Sequence, residues 1–501
     1  MTKNKNENEN NNNIKFKTNE SEIDKIISIV LKNIQPSYNT VQKLKLIEKE
    51  IKNEIKSYKI PQIVDIKTGG SFAKDTNLQK DMDIDIFILI DKTVSEQDFE
   101  RIALDVGFKS LKKYNPTTRY SEHPYVEGFA EIHNKTIEQI RINIVPCYNV
   151  EKGFWISAAD RSQYHTEYMQ KMLKPDQKNQ VRILKIFLKG IGIYGAELST
   201  SGFSGYVTEV LVLKFGNFKN VIQNIASLNK KGEIISIDNT FNEQKYKIFQ
   251  SPIIIIDPID QNRNLGAAIS PESLSRFIFG ARTFLANPSI NFFNLKKKIQ
   301  SLSDLNEFEI IEKLLPNILI LGFNYRSRSP DILWGQLKKL SKSITRHFND
   351  NEFIILKNGC YIDNTNSAKL IFLLNCITLS PFSEKSGPSI FMEKEVSNFV
   401  NKNRKKSTIL WIRDDMKLSC LRERKIINAI EFLEHSIKVK KGDNNGGSGK
   451  SNIGIPNGLA DDLDKGFQIY TIDHTKLKDK DTKRMIHDFL FNDMRLFESR
   501  I

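Results

Sequence analysis

The sequence predicts an α+β protein with a mixed-sheet head, a helical central domain and an α/β C-terminal region. Short β-branched runs, such as residues 86–90 and 253–256, have the length and composition of buried strands. Apolar residues at helical spacing precede the first of these runs and dominate from about 157 to 285. The chain has 501 residues, which is enough for about three domains and a sizeable core.

Composition narrows the class of protein. Hydrophobic residues make up 39% and charged residues 27%, which excludes wholesale disorder and a membrane protein. The net charge of +15 favours a polyanion as partner, and nucleic acid is the first candidate. Lys, Ile and Asn are all abundant, so we attribute part of this charge to a general composition bias. No apolar run reaches the roughly 18 residues of a membrane helix, and the polar start of the chain is not predicted to act as a signal peptide. Four widely spaced cysteines predict a cytoplasmic protein with reduced thiols, without a zinc site or disulfides: Cys147, Cys360, Cys376 and Cys420.

The pattern along the chain predicts a tail and three further segments. We predict that the Asn-, Lys- and Glu-rich start is a disordered tail and that the Gly-, Asn- and Ser-rich stretch at 441–457 is a flexible loop. The four segments are 1–20 (tail), 21–156 (head), 157–285 (helical central domain) and 286–501 (C-terminal region).

The head opens with helices and continues with strands. Ser21 and Asp24 form a cap-like start for a helix that Pro36 ends, and isoleucines at i, i+4 mark a second helix. We predict helices at 40–58 and 95–113, and strands at 62–68, 83–90, 120–125, 128–133 and 137–145, the last closed by Pro146. Together these strands make a mixed sheet of about five. The clearest helices of the central domain are 160–173 and 180–191.

Two carboxylates stand out on the second predicted strand. Asp83 and Asp85 are two residues apart, so both point to one face, while Ile84 points to the other. Aspartate is disfavoured in strands, and neighbouring carboxylates repel unless a divalent cation lies between them. Mg²⁺ is the natural candidate because it prefers oxygen ligands. The alternative interpretation is a solvated strand face.

The turn before this strand adds a candidate anion site. Gly69, Gly70 and Ser71 form a tight turn that opens a short helix at 71–75, whose N–H groups can hold a triphosphate. Lys74 adds a positive charge. Nucleotidyl transfer requires a metal site next to a triphosphate site, and this segment would supply both. The alternative interpretation is an ordinary turn without a ligand.

The Gly70-Ser71 and Asp83-x-Asp85 pattern resembles the polymerase-β-type nucleotidyltransferases, and further segments resemble their class I, archaeal-type CCA-adding enzymes. The segments follow the family's order within about residues 20–285: 119–126 (RYSEHPYV), 144–148 (IVPCY), 160–165 (DRSQYH), 192–197 (GIYGAE), 202–206 (GFSGY) and 257–264 (DPIDQNRN). The resemblance implies a polymerase-β-like nucleotidyltransferase head. It also implies template-independent addition of the 3′-terminal CCA to tRNA from CTP and ATP, with release of pyrophosphate by a two-metal mechanism.

The resemblance also assigns roles to individual residues. Asp83 and Asp85 match metal-binding catalytic carboxylates, and Arg263 matches the arginine that reads the incoming base. Tyr120 and His123 lie in the segment that meets the primer end. The residues that match nucleotide-binding positions are Ser71, Lys74, His165, Lys185 and Tyr194.

Each of these positions also has an ordinary structural interpretation. Taken alone, the basic helix face of Arg182, Lys185 and Lys189 is more typical of a solvated surface than of a binding site. Arg263 follows two aspartates, so a structural salt bridge is its alternative.

The departure from the family pattern that bears most on catalysis is at position 143. Asn143 stands where the family has its third catalytic and metal-binding carboxylate, and its same-face neighbours Arg141 and Gln139 are not acids. An amide oxygen is a weaker ligand than a carboxylate and does not accept a proton. Three explanations remain open: an inactivating variant, a slow enzyme with a displaced acid such as Glu131 or Glu138, or a paralogue that has lost catalysis.

The resemblance implies particular partners, and two other functions remain as alternatives. It implies tRNA, CTP and ATP as partners, contacts between the C-terminal region and the tRNA, and a possible homodimer. A poly(A)-polymerase-like transferase shares the fold. A catalytically silent tRNA-binding protein is the rival from another class, motivated by Asn143 and the positive charge.

Overall fold

The computed structural model describes residues 20–120, 122–133, 137–238, 248–293, 304–363, 365–438, 453–472 and 479–498. The chain divides into two compact units, Met1–Ile299 with Asp493–Ile501, and Gln300–Asn492. The predicted tail at 1–20 and the predicted loop at 441–457 lie mostly outside the described residues.

The first unit contains the five-stranded mixed sheet that the sequence predicts. The strand order is β1-β2-β5-β4-β3, in which β2 and β5 are parallel and the other pairs are antiparallel. The strands are β1 (Ile63–Gly69), β2 (Asp83–Asp91), β3 (Thr117–Tyr120), β4 (Pro124–His133) and β5 (Ile137–Asn149).

Two predicted strand boundaries are wrong. The stretch at 120–125 is not one strand, because Tyr120 ends β3 and pairs with Pro124, the first residue of β4. Strand β5 does not end at Pro146. Its ladder with β4 extends only to Ile144, so Pro146 lies where β2 is the neighbouring strand, an edge position that tolerates proline.

One face of the sheet is covered by helices α2 (Tyr38–Ser57) and α4 (Glu96–Ser110). Ile84, Ile86 and Ile88 of β2 are fully buried beneath them. Burial of such side chains contributes about 1.5–3 kcal/mol each, so the register of β2 is strongly fixed. The same register sets the direction of the aspartates between these isoleucines.

The helical part of the first unit surrounds a second core rich in phenylalanine. The rings of Phe187, Phe218 and Phe284 have centroids 5.5–5.9 Å apart. Helix α1 packs its apolar face into this core rather than into the head. The elements are α1 (Glu20–Ile34), α3 (Gly70–Ala73), α5 (Arg161–Met172), α6 (Pro175–Gly190), α7 (Gly205–Phe215), α8 (Phe218–Ala226), β6 (Glu233–Ile235), β7 (Ile253–Asp257), β8 (Asp260–Asn264) and α9 (Pro271–Ala286).

The second unit combines helices with two antiparallel sheets, of order β10-β11-β9-β15 and β12-β14-β13. Its elements are α10 (Asp304–Leu314), β9 (Ile318–Asn324), α11 (Pro330–Asp350), β10 (Ile355–Ile362), β11 (Ser367–Leu374), β12 (Phe382–Ser389), α12 (Glu393–Asn403), β13 (Ile409–Ile412), β14 (Lys417–Glu423), α13 (Ala429–Lys438), α14 (Asn457–Asp464), β15 (Phe467–Thr471) and α15 (Lys480–Phe491). The last helix, α16 (Met494–Glu498), belongs to the first unit.

The predicted α+β class is confirmed. Among the described residues, no helix combines the length and the apolar content that crossing a bilayer requires.

Candidate active site

Strand β2 carries two carboxylates on the sheet face opposite the isoleucine core. Asp83 and Asp85 are partly buried, and Ile84 between them is fully buried on the other side. Burial raises the pKa of both carboxyl groups, and the charge of Asp85 adds to the rise at Asp83. The protein alone therefore compensates the negative charges of Asp83 and Asp85 poorly.

Asn143 lies directly beside Asp85 on the parallel strand β5. Its Nδ2 donates a hydrogen bond to Asp85 Oδ1 at 2.8 Å, and its buried Oδ1 has no hydrogen-bond partner among the described residues. Arg141, two residues earlier, has its Nε 3.6 Å from Asp83 Oδ1. Where the family has its third carboxylate, this structure therefore places the amide of Asn143 beside Asp85, with the guanidinium group of Arg141 next to it.

These oxygens fit a hard divalent cation. The two carboxylates supply negative charge, and the unpartnered Oδ1 of Asn143 is an oxygen donor that nothing described here satisfies. Mg²⁺ and similar ions prefer such oxygen ligands and retain several waters. Asp83, Asp85 and Asn143 are therefore the residues that would hold a cation.

The turn between β1 and β2 brings Gly70 against Asp85. Gly70 has φ +66°, and a Cβ at this position would lie 1.9 Å from Asp85 Oδ2. Helix α3 begins at Gly70 and spans four residues, not the predicted 71–75, because Asp75 adopts a left-handed conformation with φ 54°. Glycine is therefore required for the close approach of this turn to the carboxylate.

Two cavities open on the carboxylate face. The Asp83 cavity has a volume of about 660 Å³, and the Asp85 cavity has a volume of about 360 Å³. Lining residues of the Asp83 cavity include Ser71, Asp83, Arg141, Lys185, Lys189 and Tyr194. Lining residues of the Asp85 cavity include Asp85, His123, Tyr125 and Asn143.

The cavities bring together some of the predicted site residues. Among the predicted nucleotide-binding residues, Ser71, Lys185 and Tyr194 line the Asp83 cavity. Lys74, His165 and Arg263 are not among its described lining residues and belong to the adjoining networks below. For the predicted primer end, His123 lines the Asp85 cavity, whereas Tyr120 lines neither and is 67% exposed.

His123 belongs to a group that the sequence did not predict. The ligand atoms of Glu96, Glu100 and His123 lie within 4.8 Å of one another. His123 Nδ1 lies 3.4 Å from Glu100 Oε1 and 3.9 Å from Glu96 Oε1. The His123 ring also makes an edge contact with Phe99, with centroids 5.0 Å apart. These contacts fix the ring at the mouth of the Asp85 cavity.

Lys74 and Lys185 share a buried carboxylate that the sequence analysis missed. Lys74 Nζ lies 2.6 Å from Glu209 Oε2, and Lys185 Nζ lies 4.0 Å from Glu209 Oε1. Thr76 donates to Glu209 Oε1 at 2.7 Å and accepts a hydrogen bond from Lys185 on its carbonyl oxygen at 2.9 Å. Glu209 is fully buried, and a lone acid within the apolar helix α7 is the signal that would have found it.

The solvated interpretation of the basic face of α6 is wrong. Arg182 and Lys185 are 3% and 2% exposed. Arg182 pairs with Asp75 and donates to the Asn77 carbonyl oxygen at 2.9 Å, while Lys189 pairs with Asp81. Helix α6 therefore holds the segment that leads from α3 into β2.

His165 and Arg263 are joined by a second buried acid, Asp257. His165 Nε2 lies 2.9 Å from Asp257 Oδ2, and Arg263 Nη1 donates to the same oxygen at 3.2 Å. Burial lowers the pKa of His165. Burial alone would raise the pKa of Asp257, but the contacts with His165 and Arg263 outweigh this effect and hold that pKa below its usual value. The Tyr206 ring packs against His165 in a tilted arrangement, with centroids 3.8 Å apart and an interplanar angle of 32°. The structure therefore contains the salt bridge that was the alternative interpretation of Arg263.

Comparison with known proteins gives three family matches in order along the chain. They are a nucleotidyltransferase domain (44–165), the second domain of tRNA nucleotidyltransferases (179–294) and the C-terminal domain of CCA-adding enzymes (317–450). The CCA-adding enzyme of Methanocaldococcus jannaschii is 35% identical over 427 residues, covering 82% of this chain and 90% of the relative. The chain belongs to the CCA-adding enzymes.

A second curated relative is consistent with this membership. The CCA-adding enzyme of Saccharolobus solfataricus is 35% identical over 413 residues, covering 82% of this chain and 92% of the relative. A solved cytoplasmic RNA terminal U-transferase is 14% identical with a TM-score of 0.43, covering 56% of this chain and all of that one. As a CCA-adding enzyme the protein is a nucleotidyltransferase of tRNA processing, from a superfamily that generally uses divalent metals.

Nucleotide binding by this CCA-adding enzyme is expected to weaken as pH rises through about 8. Burial lowers the pKa of Lys185 to about 8, so its ammonium group loses its proton above that pH. The family resemblance predicts that a triphosphate binds the charged form of Lys185, so affinity should fall by up to about tenfold per pH unit above the pKa. Calorimetric titration of CTP without tRNA, from about pH 6.5 to about 9.5, measures the slope.

The control is Lys185→Arg, which stays charged across this range and should flatten the profile. Lys189 lines the same cavity, and burial also lowers its pKa. An unchanged slope in Lys185→Arg would assign the titration to another group and contradict the prediction.

Replacing Asp257 by asparagine is expected to impair stability and nucleotide binding together. The change removes the charge that holds both His165 and Arg263. We expect a loss of about 2 kcal/mol in the free energy of unfolding, and a rise of about tenfold in KM for CTP and ATP. Urea unfolding and initial rates measure the two effects. Asp238→Asn, at an exposed position, is the control, and an unchanged KM in Asp257→Asn would contradict the coupling.

Proposed function

We propose that this enzyme adds the 3′-terminal CCA to tRNA without a nucleic-acid template, using CTP and ATP and releasing pyrophosphate. One observation carries the proposal: the Asp83–Asp85 pair borders two different cavities on one sheet face. A nucleotidyl transfer requires a carboxylate-bound cation between a triphosphate and the hydroxyl that attacks it. The two cavities supply space for those two reactants.

The incoming nucleotide occupies the Asp83 cavity in this proposal. Ser71, Lys185 and Tyr194 line it and contact the triphosphate. Lys74 and Lys185 share the single charge of Glu209, so this buried network retains net positive charge for the phosphates. His165 and Arg263 act from the neighbouring Asp257 network, where Arg263 reads the base after leaving its salt bridge.

Mg²⁺ is the proposed cofactor, held by Asp83, Asp85 and Asn143. When bound, it polarises phosphate oxygens and lowers the pKa of a coordinated hydroxyl group. The protein's own part is positioning: Gly70 fixes the turn against Asp85, and Asn143 orients that carboxylate through its 2.8 Å hydrogen bond.

The tRNA 3′ end occupies the Asp85 cavity, beside His123, and the exposed ring of Tyr120 stacks on an unpaired nucleotide. The 3′-hydroxyl gives its proton to solvent water, its oxygen forms a bond to the α-phosphorus, and the bond from that phosphorus to the bridging oxygen breaks. Pyrophosphate leaves with the electron pair, stabilised by Lys185. We assign nucleotidyl transfer to segments 21–156 and 157–285 and tRNA binding to 286–501, with a homodimer as a further possibility for the assembly.

The test supplies a tRNA lacking its terminal CCA together with one labelled nucleotide at a time. We expect CTP alone to be incorporated twice, and ATP to be incorporated only after those two additions. Incorporation of ATP alone into long products would support a poly(A)-polymerase-like activity instead. Absence of any incorporation with Mg²⁺ or Mn²⁺ would contradict the proposal.

A second candidate is a catalytically silent tRNA-binding paralogue. The observation that favours it is the amide of Asn143, which donates a hydrogen bond to Asp85 where the family has a carboxylate. This candidate predicts tRNA binding that weakens steeply with salt, without turnover.

A further inference from the structure

The row of Asp85 across the sheet contains a further acid, Glu127, at a position between two of the strands that the sequence predicted. Asp85 pairs with Asn143 across β2 and β5, and Asn143 pairs with Glu127 across β5 and β4. Directly paired residues of neighbouring strands point to the same face of a sheet. Asp85, Asn143 and Glu127 therefore form one line across the carboxylate face.

Glu127 is a buried carboxylate with an unusual set of partners. It is 5% exposed, and both described partners of its side chain are arginines. Arg119 Nε lies 2.7 Å from its Oε1, and Arg141 Nε lies 3.6 Å from its Oε2. The same Arg141 nitrogen lies 3.6 Å from Asp83 Oδ1, so one guanidinium group joins Glu127 to the metal-binding pair.

The other candidate acids are less well placed. Glu131 pairs with Gln139 rather than with Asn143, and it is exposed. The side chain of Glu138 is not among the parts of the chain that the structure describes. On β5 itself, the residue that pairs with Asp83 is Arg141, which carries the opposite charge.

We infer that Glu127 supplies the third negative charge of this cation site, acting across Asn143 through the water shell of the ion. Neighbouring strands lie about 4.8 Å apart, so Glu127 stands one strand spacing beyond position 143. A glutamate reaches one methylene further than an aspartate, and Mg²⁺ keeps several of its waters as hydrogen-bond donors. The inference rests on the proposed function, because it assumes that a cation binds Asp83 and Asp85.

A purely structural role for Glu127 makes a different prediction. If the carboxylate only neutralises Arg119 and Arg141, removing its charge harms the protein equally whatever stands at position 143. If it serves the cation, its removal matters only while position 143 lacks a carboxylate. The dependence on position 143 therefore separates the two roles.

The experiment compares four full-length proteins: wild type, E127Q, N143D and the double variant N143D/E127Q. We expect E127Q to lower kcat for CTP addition by about 100-fold in the wild-type background and by less than about threefold in the N143D background. Mn²⁺ binding, followed by electron paramagnetic resonance without tRNA or nucleotide, should weaken by about tenfold in E127Q and change little in the double variant. E131Q is the matched control on the same strand and should match wild type in both measurements.

The outcomes separate the inference from the proposed function. An equal loss in both backgrounds, or Mn²⁺ binding unaffected by E127Q, would overturn the inference even if the wild type adds CCA. Glu127-dependent Mn²⁺ binding without any nucleotide incorporation would support the inference and contradict the proposed function. If E127Q does not fold, E127D keeps the charge that the arginines require and shortens the reach. In that case we expect a loss of at least about tenfold in kcat and weaker Mn²⁺ binding for E127D, and wild-type values would overturn the inference.

Discussion

Replacing Asp85 by asparagine is expected to lower nucleotide incorporation by about three orders of magnitude while leaving the fold intact. The substitution keeps the size of the side chain but removes one of the two carboxylate charges that we propose as cation ligands. It also replaces the acceptor of the Asn143 hydrogen bond by a weaker one. Loss of a cation ligand and of transition-state charge stabilisation together cost several kcal/mol, or about 10³-fold in rate. Single-turnover addition of CTP at saturating nucleotide measures the change.

Asp91→Asn is the matched control because Asp91 lies at the opposite end of the same strand, where it accepts hydrogen bonds from Thr93. We expect this variant to retain the wild-type rate. Thermal unfolding of Asp85→Asn should occur at or above the wild-type temperature, because the substitution removes a buried and poorly compensated charge. A rate within tenfold of wild type would show that Asp85 is not part of the reacting centre.

Gly70→Ala is expected to lower the same rate by about 100-fold or more, through Asp85 rather than through any direct contact. The added Cβ would lie 1.9 Å from Asp85 Oδ2, so either the turn or the carboxylate has to move. An error of about 1 Å in a reacting group typically costs about 100-fold. The left-handed conformation of Gly70, with φ +66°, adds about 1–2 kcal/mol of strain. Initial rates and urea unfolding separate the two contributions.

Gly232→Ala isolates the strain. Gly232 has a similar φ of +74°, but an added Cβ there would meet no atom within 4 Å. The two variants should therefore lose similar stability, while only Gly70→Ala loses activity. Equal activity in both variants would contradict the role of the turn in placing Asp85.

The local geometry of the site was predictable from the sequence because it depends on strand periodicity. Alternation along β2 places Ile84 in the core and leaves Asp83 and Asp85 together on the opposite face. The sequence also predicted the five-stranded sheet and the absence of a carboxylate on β5 beside Asp85. The roles of these residues in nucleotide and metal binding remain predictions.

The remaining features depend on contacts between residues that are distant in the chain. Glu209 pairs with Lys74 across 135 positions, and Asp257 reaches His165 across 92, so no local pattern connects them. Glu127 became a candidate only once the register of β4 against β5 was known. The basic face of α6 resembles a solvated face in sequence, because helical periodicity does not reveal which residues pack against it.

The most direct measurement of the central claim is the mass of a defined tRNA lacking its CCA end after incubation with the wild-type enzyme, CTP, ATP and Mg²⁺. We predict a gain of two cytidylates and one adenylate and no further extension, with Asp85→Asn producing no gain in the same time. An unchanged tRNA mass for the wild type, with N143D adding all three nucleotides, would show a site that binds its substrates but does not turn over. Unchanged mass for both proteins, with Mn²⁺ also tried, would contradict the assignment of CCA addition to the Asp83–Asp85 site.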